Sequence, residues 1–213
     1  MRVTIKTIAG LTGLAGLLIG NSAIAQNLIL NPGFETGDTT SWLTLGTGTD
    51  ASITVRSGDN GPSAPGTYSA FMDNNIQANN LALQQSTALG DAVPGLVDYS
   101  FDAEGNTSFN GGVFFVHIWD INSTGGVIDQ GPGLLQPSLT TGSWTTFNGS
   151  WTAPVNVNHF EIEFDCTTGA EPNSTEHLYV DNVSLTQVPE PASLSLAAMG
   201  LLGVWTFRRS RKA

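Results

Sequence analysis

Two short segments hold residues whose types and spacing could do chemistry. Phe115, His117 and Trp119 alternate within Gly112–Asp120, and Glu161 and Glu163 alternate within Asn158–Cys166. In an extended strand, residues two apart point to the same side of the sheet. Each set therefore shares one face. Aromatic rings suit the C–H faces of sugars, while carboxylates accept hydrogen bonds from sugar hydroxyls. Asp102 alternates with Val97, Tyr99 and Phe101, which places it outward too. If these strands are neighbours, Asp102, Glu161 and Glu163 border an aromatic platform. A second reading stays open: either face of 112–120 suits a core, because Phe114, Val116 and Ile118 line its other side.

The same carboxylates could in principle cleave glycosides. Two residues apart on a strand gives roughly 7 Å, within the ~5–9.5 Å range of such pairs. That spacing is common on strands and carries little weight alone. No Gly-x-Ser-x-Gly elbow, zinc-type His motif or phosphate loop accompanies it. His117, His159 and His177 are scattered. The reading is therefore a non-enzyme with no catalytic residue.

The elements that must position these residues are strands. Helical periodicity is absent from 27–187, and short alternating runs recur between Gly-, Asn- and Ser-rich turns. The clearest are 96–102, 112–121, 158–166 and 177–185. In the third, Phe160, Ile162, Phe164 and Cys166 go inward and Glu161, Glu163 and Asp165 outward. In the last, Leu178, Val180 and Val183 break parity, so a bulge is expected near Asp181–Asn182. The pattern predicts an all-β sandwich, with loops at 57–66 and 125–137 and with Trp144 and Trp151 in the core. Cys166 has no internal partner; a buried thiol and an intermolecular disulfide are both open readings.

Charge excludes one class of function. Of seven Lys and Arg, six lie in the terminal segments 1–25 and 188–213. Residues 26–187 keep Arg56 alone against seventeen acidic residues, a formal charge of −16. Phosphate neutralisation needs basic side chains, so nucleic acid is rejected as a partner. Anionic membrane surfaces are equally unsuited. Neutral glycans, cations and basic partners remain.

The ends read as addresses. Arg2 and Lys6, the apolar run 8–19 and Ala23-Ile24-Ala25 predict a signal peptide over 1–25, cut by signal peptidase. At the other end, Val188-Pro189-Glu190-Pro191 precedes an uncharged stretch, 192–207, and the basic Arg208, Arg209, Arg211 and Lys212. Sixteen residues make a helix of about 24 Å, a little short of the ~20 residues a bilayer usually needs. Snorkelling by Arg208 nearly closes the gap, and the basic cluster is expected to stay cytoplasmic. The expectation is a single transmembrane helix, the chain's only membrane contact.

This tail resembles a PEP-CTERM sorting domain. The resemblance implies recognition of Pro189, Glu190, Pro191, Arg208 and Arg209 by an exosortase, which would cut near the Pro-Glu-Pro and discard the span. It also implies a Gram-negative host, a transient inner-membrane anchor, and a destination in the envelope or extracellular matrix. The family is associated with exopolysaccharide and biofilm.

The domain at 26–187 carries a second resemblance. Asn27 to Gly37 with Trp42 is similar to the opening of galactose-binding-like jelly rolls, the carbohydrate-binding-module sandwiches. Tyr179 to Leu185 is similar to their final strand, and Gly142 to Phe147, Trp151 to Pro154 and Gly66 to Met72 fit the same pattern. The resemblance implies a jelly-roll β-sandwich. It also implies a structural calcium ion where the first and last strands meet, held by the Gly33 carbonyl and the carboxylates of Glu35 and Asp181, with Asp59 or a backbone carbonyl of the loop to Gly66 completing the set. The chemistry is sound, since calcium takes six to eight oxygens; the alternative is that Glu35 and Asp181 accept backbone hydrogen bonds. The combined expectation is an exported protein whose sandwich binds neutral polysaccharide through Phe115, His117, Trp119, Asp102, Glu161 and Glu163. The alternative is a non-binding structural component of the matrix.

Overall fold

The computed structural model describes residues 25–59, 61–63, 66–105, 112–135, 139 and 141–187. Residues 1–24, Pro189, Glu190, Pro191, the expected span 192–207, and Arg208 and Arg209 lie outside them. Among the described residues no helix is long and apolar enough to cross a membrane.

Among the described residues eleven strands follow one another: β1 (Leu43–Leu45), β2 (Ala51–Ser57), β3 (Tyr68–Asn74), β4 (Asn80–Ser86), β5 (Gly95–Gly105), β6 (Val113–Asn122), β7 (Val127–Asp129), β8 (Gly133–Leu134), β9 (Thr145–Ala153), β10 (Val157–Thr167) and β11 (Glu176–Gln187). The four strongest alternating runs of the sequence are β5, β6, β10 and β11. Two antiparallel sheets result, ordered β1-β4-β10-β6-β7, with β8 also on β6, and β2-β3-β11-β5-β9. Consecutive strands switch sheets repeatedly, so the pairings are long-range.

The inward positions of both sheets form the core. Phe34, Phe101, Phe114, Phe160, Ile162, Phe164, Leu178 and Val180 are essentially inaccessible, and each such side chain contributes about 1.5–3 kcal/mol through burial. Phe164 meets Phe101 edge-on at 5.1 Å, and Trp42 stacks on Phe34 at 5.4 Å. Cys166 is fully buried, and burial pushes its thiol pKa well up, as the inert reading requires. The expected bulge is present: β11 steps from Asp181 to Ser184 while β5 steps from Asp102 to Ser100. Asn182 takes the left-handed conformation there, φ 52°, which Asn tolerates better than most residues. Val180 and Val183 both reach the core as a result.

First and last segments meet. Leu28 N–H donates to the Leu185 carbonyl at 2.8 Å, and Asn27 Nδ2 donates to that of Val183 at 3.0 Å. Two expectations need correction. The stretch 125–137 is not simply a loop, since β7 and β8 fold back on β6. Trp151 does pack against the core, but Trp144 lies half-buried with its ring against Tyr179 at 6.1 Å. Trp144 precedes β9, which begins at Thr145, so no strand of the sandwich turns it inward.

Candidate functional site

The platform builds outward from β6. Phe114, Val116 and Ile118 are fully buried, so parity turns Phe115, His117 and Trp119 to the outside of the sheet. That settles which face is core. The three rings run nearly parallel, with centroids 5.9 Å apart from Phe115 to His117 and 5.1 Å from His117 to Trp119.

The central strand β10 lies beside them in register. Trp119 pairs with Glu161, His117 with Glu163 and Phe115 with Asp165. On the other side of β10, Glu161 pairs with Ser86 and Glu163 with Gln84 of β4. Gln84 Nε2 donates to Glu161 Oε1 and to Glu163 Oε2, both at 2.8 Å, and Ser86 Oγ donates to Glu161 Oε2 at 2.6 Å. Across β6, His117 Nδ1 lies 2.5 Å from Asp129 Oδ2 on β7, and its Nε2 lies 3.8 Å from Asp165 Oδ2. Exposed Leu134 opposite Phe115 and Leu43 opposite Gln84 add aliphatic surface at the margins.

The electrostatics follow from crowding. Burial pushes Glu163 up to about 7, and the charges of Asp165 and Glu161 reinforce it. Near neutral pH Glu163 is thus both donor and acceptor. Burial also acts to raise Asp129, but hydrogen bonds from His117 and from the amides of Gly131 and Ile118 hold it below the usual carboxylate range. The surface is an aromatic row flanked by acceptors and by one amide, the arrangement suited to polyhydroxylated ligands.

Five of the six expected platform residues are brought together. Asp102 is not. It lies on β5 in the other sheet, fully buried, accepting from Ser63 N–H at 3.0 Å, Ser63 Oγ at 2.6 Å, Thr146 Oγ1 at 2.5 Å and Asn182 Nδ2 at 2.8 Å. Burial opposes its ionisation, but these bonds prevail and lower its pKa. Four platform residues went unpredicted: Gln84, Ser86, Asp129 and Asp165. Asp165 was already visible as an outward residue in β10, and Gln84 alternates with buried Leu81 and Leu83, whereas Asp129 sat in a stretch read as loop.

The expected calcium ligands are partly assembled. A Cβ on Gly33 would lie 3.5 Å from Asp181 Oδ1 and 3.6 Å from Glu35 Cγ, so these three do converge. Asp59 acts instead on Glu104, whose pKa is raised by burial and by Asp59's charge. Asp181 accepts from Gly61 N–H at 2.8 Å and Asn182 N–H at 2.7 Å, and Glu35 from Thr67 N–H at 2.7 Å and Tyr68 N–H at 3.1 Å. These carboxylates thereby tie Gly61, Thr67 and Tyr68 to the junction of the first and last segments. Burial, with the charges of Asp102 and Glu35, pushes Asp181 up to about 6. Among the described residues no three His, Cys, Asp or Glu side chains are placed to hold a metal. A cation here would depend on backbone carbonyls for most of its oxygens.

Comparison with known proteins covers the tail and the sandwich separately. Residues 187–212 match the PEP-CTERM protein-sorting motif. No curated protein matches the sequence. The sandwich is similar to TmCBM61, solved in complex with β-1,4-galactotriose, at TM-score 0.51 and 17% identity, covering 76% of this chain and 99% of that one. It is similar to a family 16 carbohydrate-binding module at TM-score 0.51 and 15% identity, covering 75% and 99%. It is also similar to the enzymatically active domain of tailspike protein 4 of bacteriophage CBA120, at TM-score 0.59 and 14% identity, covering 76% of this chain but 21% of that one. The fold is the jelly-roll sandwich of carbohydrate-binding modules.

Proposed function

We propose that this is an exported envelope or matrix protein whose sandwich binds neutral polysaccharide on the face built by β4, β10 and β6. One observation carries the reading: the row Phe115, His117 and Trp119 in register with Glu161, Glu163 and Asp165 on an outward sheet face. The sorting motif at 187–212 and the carbohydrate-binding-module fold support it. Gln84 bridges Glu161 and Glu163 and holds the two carboxyls together as one hydrogen-bonding edge beside the rings. The formal charge of −16 disfavours uronate-rich chains. Trp119→Ala is expected to weaken binding to neutral oligosaccharides at least tenfold while leaving the melting temperature within a degree or two. Wild-type protein that binds no member of a broad glycan array would refute the reading in favour of a purely structural matrix component.

Calcium belongs to the same proposal. Glu35, Asp102 and Asp181 act on one another with no cationic side chain to offset them, since Arg56 is held by Phe71 and Tyr179. Gly33, Glu35 and Asp181 would hold the ion, which would supply charge neutralisation at the junction of first and last segments. EDTA is expected to lower the melting temperature of wild type and not of Glu35→Ala; equal insensitivity of both removes calcium from the account.

A further inference from the structure

The outward face of the five-stranded sheet carries a second cluster of rings. Phe71 of β3 pairs in register with Tyr179 of β11, centroids 4.5 Å apart, and His177 stacks on Phe71 at 5.7 Å. All three lie on the face opposite the core residues Ala70, Met72, Leu178 and Val180, and Phe71 is itself buried there, under the Arg56 guanidinium. With Glu104 of β5 and Thr141 they line a pocket of about 350 Å³, at the small end of the range for small-ligand sites.

Arg56 makes this face unusual. It is the one Lys or Arg in residues 26–187, among seventeen acidic residues, yet none of those carboxylates forms an ion pair with it. Its guanidinium lies 3.4 Å over the Phe71 ring, and its Nη1 donates to Tyr179 Oη at 3.2 Å. A charge placed on rings rather than on an abundant counter-charge holds the aromatic surface in shape and supplies donors at the pocket edge. Such cation–π contacts are worth about 0.5–1 kcal/mol when exposed.

We propose that this pocket is a second saccharide site, so that one domain holds two glycan chains on opposite faces and cross-links them. The ligand class is a neutral sugar. The pocket border carries one carboxylate, Glu104, and one guanidinium, Arg56, and so no net charge that would select an ionic sugar. Tyr179 and His177 offer ring surface, Glu104 accepts hydroxyl hydrogens, and Arg56 donates. The cross-linking half of the inference rests on the β6 platform also binding sugar; the pocket itself does not. A single polymer long enough to reach both faces would bind with an apparent affinity about 10²–10⁴ above that of either site alone.

The test uses the full chain in a detergent without a sugar headgroup, titrated calorimetrically with β-1,4-linked hexasaccharides of glucose, mannose, galactose and xylose. Wild type is expected to bind at least one of them at two sites, Trp119→Ala to lose one site and keep the other, and Tyr179→Ala to weaken at least tenfold the site that Trp119→Ala keeps. Glu104→Gln, which keeps side-chain size, should weaken the same binding in case Tyr179→Ala unfolds. Wild type, and neither single variant, should precipitate the matching long polymers. Binding abolished by Trp119→Ala and indifferent to Tyr179→Ala and Glu104→Gln overturns the second site and leaves the platform standing. Binding indifferent to Trp119→Ala but lost in the other two overturns the platform and keeps the second site. No binding to any of the four overturns both.

Discussion

Glu176 is the residue whose chemistry is least satisfied. It is fully buried, and neither carboxylate oxygen has a hydrogen-bond partner among the described residues. A Cβ on neighbouring Gly112 would come within 2.1 Å of Oε1, so the packing around the group is tight. Burial alone pushes Glu176 up to about 7. The sign of the consequence is fixed. Between about pH 4.5 and pH 7 the unfolded chain has released this proton and the folded one still binds it, so stability falls as pH rises, by up to about 1.4 kcal/mol per pH unit. Asp181, pushed up to about 6, acts in the same direction over a window starting near 3.8. Glu176→Gln is expected to raise the melting temperature at pH 8 relative to wild type and to change it little at pH 4.5. A gain at pH 4.5 as large as at pH 8 contradicts an ionised, unpartnered carboxylate as the source.

At the scale of elements, β10 serves two layers at once. Its inward residues Phe160, Ile162, Phe164 and Cys166 are in the core, and its outward residues Glu161, Glu163 and Asp165 face the rings of β6. It lies between β4 and β6 in the sheet, so a shift of one residue in its register would exchange the faces entirely. Core packing therefore holds the platform in place. Phe164→Ala should reduce unfolding free energy by about 3–5 kcal/mol, whereas Glu161→Gln should change it by less than about 1 kcal/mol; urea titrations measure both. Equal losses in the two variants would mean that the outward face of β10 is structural.

For the whole molecule, charge and address are divided along the chain. The basic residues cluster at the two ends, while the sandwich keeps seventeen acidic residues against Arg56. An acidic body suits an extracellular setting, and the sorting motif at 187–212 is the feature that would bring it there. If an exosortase processes the tail, intact mass and C-terminal peptide mapping of protein from its native host will show a form ending near Pro189-Glu190-Pro191. A mature chain that retains Arg208 to Ala213 would mean a permanently anchored protein, with the sandwich and its sites unaffected.

The sequence by itself determined the all-β class, which residues of each strand share a face, the bulge in β11 and the sorting tail. These are local properties: alternation of two, a parity break between Val180 and Val183, and a contiguous motif. It also placed Phe115, His117, Trp119, Glu161 and Glu163 on outward faces correctly. Only the tertiary structure decided which outward faces coincide. Parity gave Asp102 and Glu161 the same standing, yet β5 and β10 lie in different sheets, so Asp102 is buried beneath Ser63 while Glu161 faces Trp119. Gln84, Ser86 and Asp129 joined the platform for the same reason. Strand pairing joins residues far apart in the chain, and neither alternation nor composition encodes which strand lies next to which.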